Sequence, residues 1–85
     1  MEIKLFKDAK ADFEYWKKSG NRPIQKKIQE LFVDILQHPY EGIGKPEPLK
    51  HDLSGKWSRR INKEHRIVYE VNGDEISVYS LKGHY

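Results

Sequence analysis

The chain has 85 residues, too few for two hydrophobic cores, so residues 1–85 are expected to form one domain. It contains no cysteine, which excludes disulfides, thiolate metal sites and cysteine nucleophiles. Its net charge is +3, and its apolar residues, only 36% of the chain, fall in periodic runs that exclude disorder.

Residues 2–6 alternate apolar Ile3 and Leu5 with polar neighbours, which predicts a short strand. Asp8 is placed to cap a helix running to about Ser19, where Gly20 ends it, and Ala9, Phe13 and Trp16 form its apolar stripe. Asn21 and Pro23 open a second helix, in which Ile24, Ile28, Leu31, Phe32, Ile35 and Leu36 recur at helical spacing until Pro39. Both stripes read as core. Residues 39–55 hold three prolines and three glycines without periodicity and predict a loop. Strands follow at residues 56–61, 66–71 and 75–81, the last two joined through Asn72-Gly73, a type I′ hairpin signal. The expected fold is α+β in the order β-α-α-β-β-β. Two N-terminal helices pack on one face of a largely antiparallel sheet, and the first strand pairs among the C-terminal ones. No apolar run approaches the length of a membrane span and no signal-peptide core is present, so the expected setting is the cytoplasm, with no membrane partner.

The charge is concentrated. Residues 44–66 contain seven Lys/Arg and three acids, a net of +4, against +1 for residues 1–43 and −2 for residues 67–85. Such a segment suggests an anionic partner, nucleic acid first, with a solvated basic face as the competing reading. Strand alternation turns Ile67, Tyr69 and Val71 toward the helices and Arg66 with Arg60 toward the opposite, open face, where two guanidiniums make a phosphate platform.

His38, His51, His65 and His84 do not pair at metal-ligand spacing, and no metal or cofactor is expected. His38, at a helix end, suits the helix dipole, and His65, in the turn before Arg66, is expected to make local hydrogen bonds. Metal-free RNA cleavage needs a base for the ribose 2′-OH, a cation for the phosphorane and an acid for the leaving oxygen. Glu47, Arg60, Arg66 and His84 are groups of those kinds. Singly, each has a blander reading: Glu47 between Pro46 and Pro48 as a solvated loop acid, Arg66 as a surface arginine, His84 as a tail residue.

The run from Glu41 to Gly55 (EGIGKPEPLKHDLSG), followed by Trp57-Ser58-Arg59-Arg60-Ile61 and Glu64-His65-Arg66-Ile67-Val68-Tyr69, closely resembles the corresponding segment of YoeB-type toxins of the RelE superfamily. The terminal His84-Tyr85, the length and the element order agree as well. The resemblance implies a microbial RNase fold and cleavage of mRNA in the ribosomal A site. It also implies neutralisation by a cognate antitoxin of the YefM/Axe kind, and it leaves a homodimer open. By position, Glu47 matches the general base, Arg66 the phosphate-stabilising arginine, His84 the general acid and Tyr85 the terminal tyrosine that holds the substrate base or orients the site. Lys45, Lys50, His51, Arg59, Arg60 and Lys82 match supporting, RNA-binding positions. The tail departs from the family's pattern, since members often carry an arginine and a bulky residue where Lys82 and Gly83 stand. Lys82 keeps the charge without bidentate geometry, and Gly83 is expected to loosen the tail. A non-catalytic nucleic-acid-binding module and a regulatory subunit acting only with its antitoxin are the alternatives. Glu47 separates the nuclease from the binding module, because an acid inside a basic loop serves a nuclease and not a simple binder; the regulatory reading does not exclude catalysis.

Overall fold

The computed structural model describes residues 1–83; His84 and Tyr85, expected to carry general-acid and base-holding roles, lie outside the described residues. Strand β1 (Glu2–Leu5) leads into helices α1 (Lys7–Ser19) and α2 (Arg22–Gln37). Strands β2 (Glu47–Pro48), β3 (Trp57–Arg60), β4 (Arg66–Asn72) and β5 (Glu75–Ser80) follow. Helix α1 starts earlier than expected: Phe6 occupies the cap position, and Asp8 sits in the first turn, where its charge still complements the dipole. Helix α2 is capped as its sequence predicts, with the Asn21 side chain accepting from the Ile24 N–H at 3.2 Å.

The strands form one sheet in the order β1-β5-β4-β3-β2, with β1 parallel to β5 and the other neighbours antiparallel. Strand β2, inside the predicted loop, is an addition to the expected order. Two residues long and half proline, it has no alternation to detect, and proline is tolerated there because β2 is an edge strand. The β4–β5 turn also differs. Asn72 pairs with Glu75, so the two-residue loop is Gly73-Asp74, with positive φ at Gly73 but not at Asp74, the pattern of a type II′ turn.

The α2 stripe closes the core. Ile28, Leu31 and Ile35 are buried with Ile67, Tyr69, Ile76, Val78 and Leu81. Fully burying one such aliphatic side chain contributes about 1.5–3 kcal/mol. The helices therefore cover one face of the sheet. The other face carries Glu47, Ser58, Arg60, Arg66, Val68, Glu70 and Tyr79, of which Ser58 and Val68 are buried among their neighbours. Among the described residues no helix is long and apolar enough to cross a membrane.

Candidate active site

The loop that delivers Glu47 is held by Arg59. This arginine is fully buried, because alternation along β3 points it away from the open face and under α2. Its guanidinium donates to Asp34 Oδ2 at 2.5 Å, to the carbonyls of Glu41 at 2.8 Å and Ile43 at 3.1 Å, and to that of His38. Its Nε donates to the Tyr69 hydroxyl at 3.1 Å, which in turn donates to the Pro39 carbonyl at 2.7 Å. Asp34 also accepts the Ile43 N–H at 3.0 Å. Burial works against the Asp34 carboxylate, but the hydrogen bonds from Arg59 and Ile43 and the charges of Arg59 and His38 outweigh it and hold its pKa below the usual value. Burial likewise pushes the Tyr69 hydroxyl up, against the pull of Arg59. The expectation that Arg59 supports RNA binding is corrected here: its donors fasten residues 38–43 from inside.

Beyond the staple, the Arg60 N–H donates to the Gly44 carbonyl at 2.6 Å, and β2 pairs with β3, Glu47 opposite Ser58. Prolines on both sides fix φ around Glu47 and offer no N–H, so the acid sits exposed on a stiff edge. Lys45 (φ 53°) and His51 (φ 59°), on either side of β2, are the non-glycine residues in the left-handed region among those described. Such conformations cost of order 1–3 kcal/mol and cluster at functional sites.

Register then brings the charged groups to one face. Glu47 opposes Ser58, Ser58 opposes Val68, and Arg60 opposes Arg66. Glu47 and Arg66 stand two strands and two residues apart, about 12 Å between Cα atoms at ~4.8 Å per strand and ~3.4 Å per residue. Their long side chains can reach a phosphodiester between them. Arg66 is half-buried, while Arg60, Lys45, Lys50 and His51 are exposed.

Residues 81–83 are anchored beside Arg66. Leu81 donates its N–H to Asp12 Oδ2 at 2.9 Å and accepts from the Trp16 indole N–H at 2.8 Å. Gly83 donates its N–H to His65 Nδ1 at 2.9 Å, which requires that nitrogen to be unprotonated, and its carbonyl accepts the Arg66 N–H at 3.1 Å. The His65 ring meets Trp16 edge-on at 4.8 Å. Gly83, expected to loosen the tail, is itself held by these two hydrogen bonds. Its φ of 80°, with open space where a side chain would point, makes glycine the residue that fits this clamp. Lys82 turns the other way, its ammonium 3.7 Å from the centre of the Tyr15 ring on α1. Asp12, Trp16 and Asp34 carry no signal in the sequence for these roles, since each is a single side chain on a helix and its partner lies 25 or more residues away. Among the described residues no group of three His, Cys, Asp or Glu side chains is arranged to hold a metal ion.

Comparison with known proteins gives the family and the fold. The family described as "YoeB-like toxin of bacterial type II toxin-antitoxin system" matches residues 6–85. Toxin YoeB of Escherichia coli (strain K12) is 53% identical over 74 residues, 87% of each chain. The YoeB/ParE toxin from Agrobacterium tumefaciens superposes with a TM-score of 0.95 at 38% identity, covering 100% of both chains. Two Staphylococcus aureus structures are also similar. One is a YoeB–YefM complex, with a TM-score of 0.89 and 45% identity over 98% of this chain and 95% of that one. The other is a YoeB dimer, with a TM-score of 0.91 and 43% identity over 100% and 98%. On its fold, its open-face residues and these likenesses together, the chain belongs to the YoeB-like toxins of bacterial type II toxin–antitoxin systems.

Proposed function

We propose that this toxin is a ribosome-dependent endoribonuclease that stops translation by cutting mRNA in the ribosomal A site, with no metal or other cofactor. The observation that carries the reading is the convergence, on one open face, of Glu47, Arg60 and Arg66, with the residue before His84 fastened to the backbone of Arg66. Glu47 takes the proton from the ribose 2′-OH, and the 2′-oxygen attacks the adjacent phosphorus. Arg66 stabilises the charge of the phosphorane. As the bond from phosphorus to the 5′-oxygen breaks, His84 donates a proton to that oxygen. The products are a 2′,3′-cyclic phosphate and a 5′-OH. Tyr85 holds the base or orients the site, and Lys45, Lys50, His51 and Arg60 contact the RNA backbone. Arg60 and Arg66 oppose one another across the ladder, a placement that works against strand pairing and that a bound phosphate offsets.

Silencing in the host then falls to a YefM-like antitoxin, the partner with which the Staphylococcus aureus relative was solved. A homodimer is the second assembly, as in the other Staphylococcus aureus structure. The site of action is the cytoplasm. Induced expression of wild type, Glu47→Gln, Arg66→Ala and His84→Ala tests the reading. Wild type is expected to arrest growth and deplete mRNA, and each variant to fail while remaining folded. Equal toxicity of Glu47→Gln would return the chain to the class of non-catalytic binders.

A further inference from the structure

The open face carries a feature that the cleavage reading does not use. At β5 the pairing slips: Val68 opposes Ser80 while Tyr69 opposes Val78, so Tyr79 is the extra residue of a bulge. Bulges re-aim a side chain and are frequent beside active sites. Here the Tyr79 hydroxyl donates to Glu70 Oε1 at 2.8 Å, which fixes the ring on the open face. Phe6, at the end of β1, meets it at 5.0 Å and 89°. Two ammonium groups attend the pair: Lys56 Nζ lies 5.0 Å from the centre of the Tyr79 ring, and Lys4 Nζ lies 5.3 Å from that of Phe6. Both rings are half-buried rather than covered. Their place is the row that begins at Glu47 and crosses Ser58 and Val68 to the far edge of the sheet. Tyr79 sits on the strand next to Arg66, between the positions opposite Val68 and Tyr69, about 10 Å away between Cα atoms at the spacings of a sheet.

From this juxtaposition we infer that Tyr79, supported by Phe6, is a stacking subsite for a nucleobase of single-stranded RNA beside the cut, and that Lys56 takes a phosphate of the same nucleotide. The subsite rests on the RNA-cleaving reading for its ligand and is continuous with the Glu47–Arg66 face. An aromatic ring with its edge pinned and a cation at its face is the combination that single-stranded RNA uses: the ring accepts any base, and the cation follows the backbone. When a base stacks on Tyr79, the flexible Lys56 stem swings its ammonium from the ring to the phosphate. Glu70 contributes by positioning the ring, since its carboxylate holds the hydroxyl.

The probe is a short mRNA with a 2′-deoxy nucleotide at the cut site, so that it binds without being cut, and 2-aminopurine placed in turn at each neighbouring position. It is presented to the toxin on programmed ribosomes. Fluorescence quenching is expected at one position flanking the cut. Tyr79→Ala is expected to abolish that quenching and weaken RNA binding about 5- to 150-fold, the range for loss of one stacked base. Tyr79→Phe, which keeps the ring, is expected to retain both. Lys56→Gln is expected to lower the slope of binding against salt by about one. Glu47→Gln is expected to keep the quenching while losing cleavage, which separates the subsite from the catalytic reading. If wild-type toxin gives no position-specific quenching, the inference is overturned, whether or not the variants fold. Folded Tyr79→Ala that binds RNA as wild type does, or that loses only antitoxin binding, overturns it equally. If quenching follows Tyr79 but the unmodified mRNA is not cut, the subsite stands and the cleavage reading falls.

Discussion

His65 lies outside the candidate catalytic set, yet it decides where the chain end starts. Its Nδ1 receives the Gly83 N–H, and the next residue is His84. Removing that acceptor releases the anchor without touching substrate. His65→Ala is therefore expected to lower kcat on the order of 10²-fold with little change in KM, the cost of misplacing a catalytic group by about 1 Å. His65→Gln, whose side-chain oxygen also accepts an N–H, is expected to recover much of the rate in a single-turnover assay. Equal activity of all three forms would mean that the tail is placed by other contacts. Arg59 shows the opposite division between sequence and structure. Its basic neighbourhood marks it as a nucleic-acid ligand, and only the inward phase of β3 reveals it as the hub of the loop. Arg59→Ala is expected to cost about 3–5 kcal/mol, since it strands a carboxylate and several carbonyls, and thermal denaturation will read it. Arg59→Lys should not rescue, because an ammonium cannot reproduce the planar fork.

The two helices, β1 and the three long C-terminal strands are legible from periodicity, because each buries one face in a shared core. The turn at Gly73-Asp74, the strand β2 and the bulge at Tyr79 are not, because pairing across the sheet sets them and local pattern does not. Of the candidate site, the placement of Arg60 and Arg66 follows from alternation. Glu47 required the register of β2, and the clamp on Gly83 required contacts from α1 and the β3–β4 turn. The loop between α2 and β2 is tested through Asp34. Its pKa is lowered on folding, so it contributes stability that is present above about pH 4, the unfolded value, and is lost as pH falls through the folded one. Asp34→Asn is expected to lower stability at pH 7 and to flatten the acid limb of a stability–pH profile below about pH 4. An unchanged acid limb would contradict the staple. Gly42→Ala probes the same loop sterically, since a methyl there would lie 2.0 Å from Asp34 Oδ2 at a φ of 120°. A loss of about 1–3 kcal/mol, measured by chemical denaturation, is expected.

At the scale of the whole molecule, a helix-backed sheet leaves one face with Arg60 opposite Arg66, the face that the proposed function assigns to both substrate and inhibitor. An acidic antitoxin segment laid on that face competes with RNA, so the affinity of the YefM-like partner is expected to fall with salt and with Arg60→Ala. Salt-independent binding would place the antitoxin elsewhere. The central claim, cleavage through the substrate's own 2′-OH, is tested most directly by end-group analysis of mRNA cut on programmed ribosomes, with a matched mRNA carrying a 2′-deoxy nucleotide at the cut site. The account predicts a 2′,3′-cyclic phosphate or its opened 3′-phosphate upstream, a 5′-OH downstream and no cutting of the deoxy substrate. A 5′-phosphate on the downstream fragment, or undiminished cutting of the deoxy substrate, would contradict it.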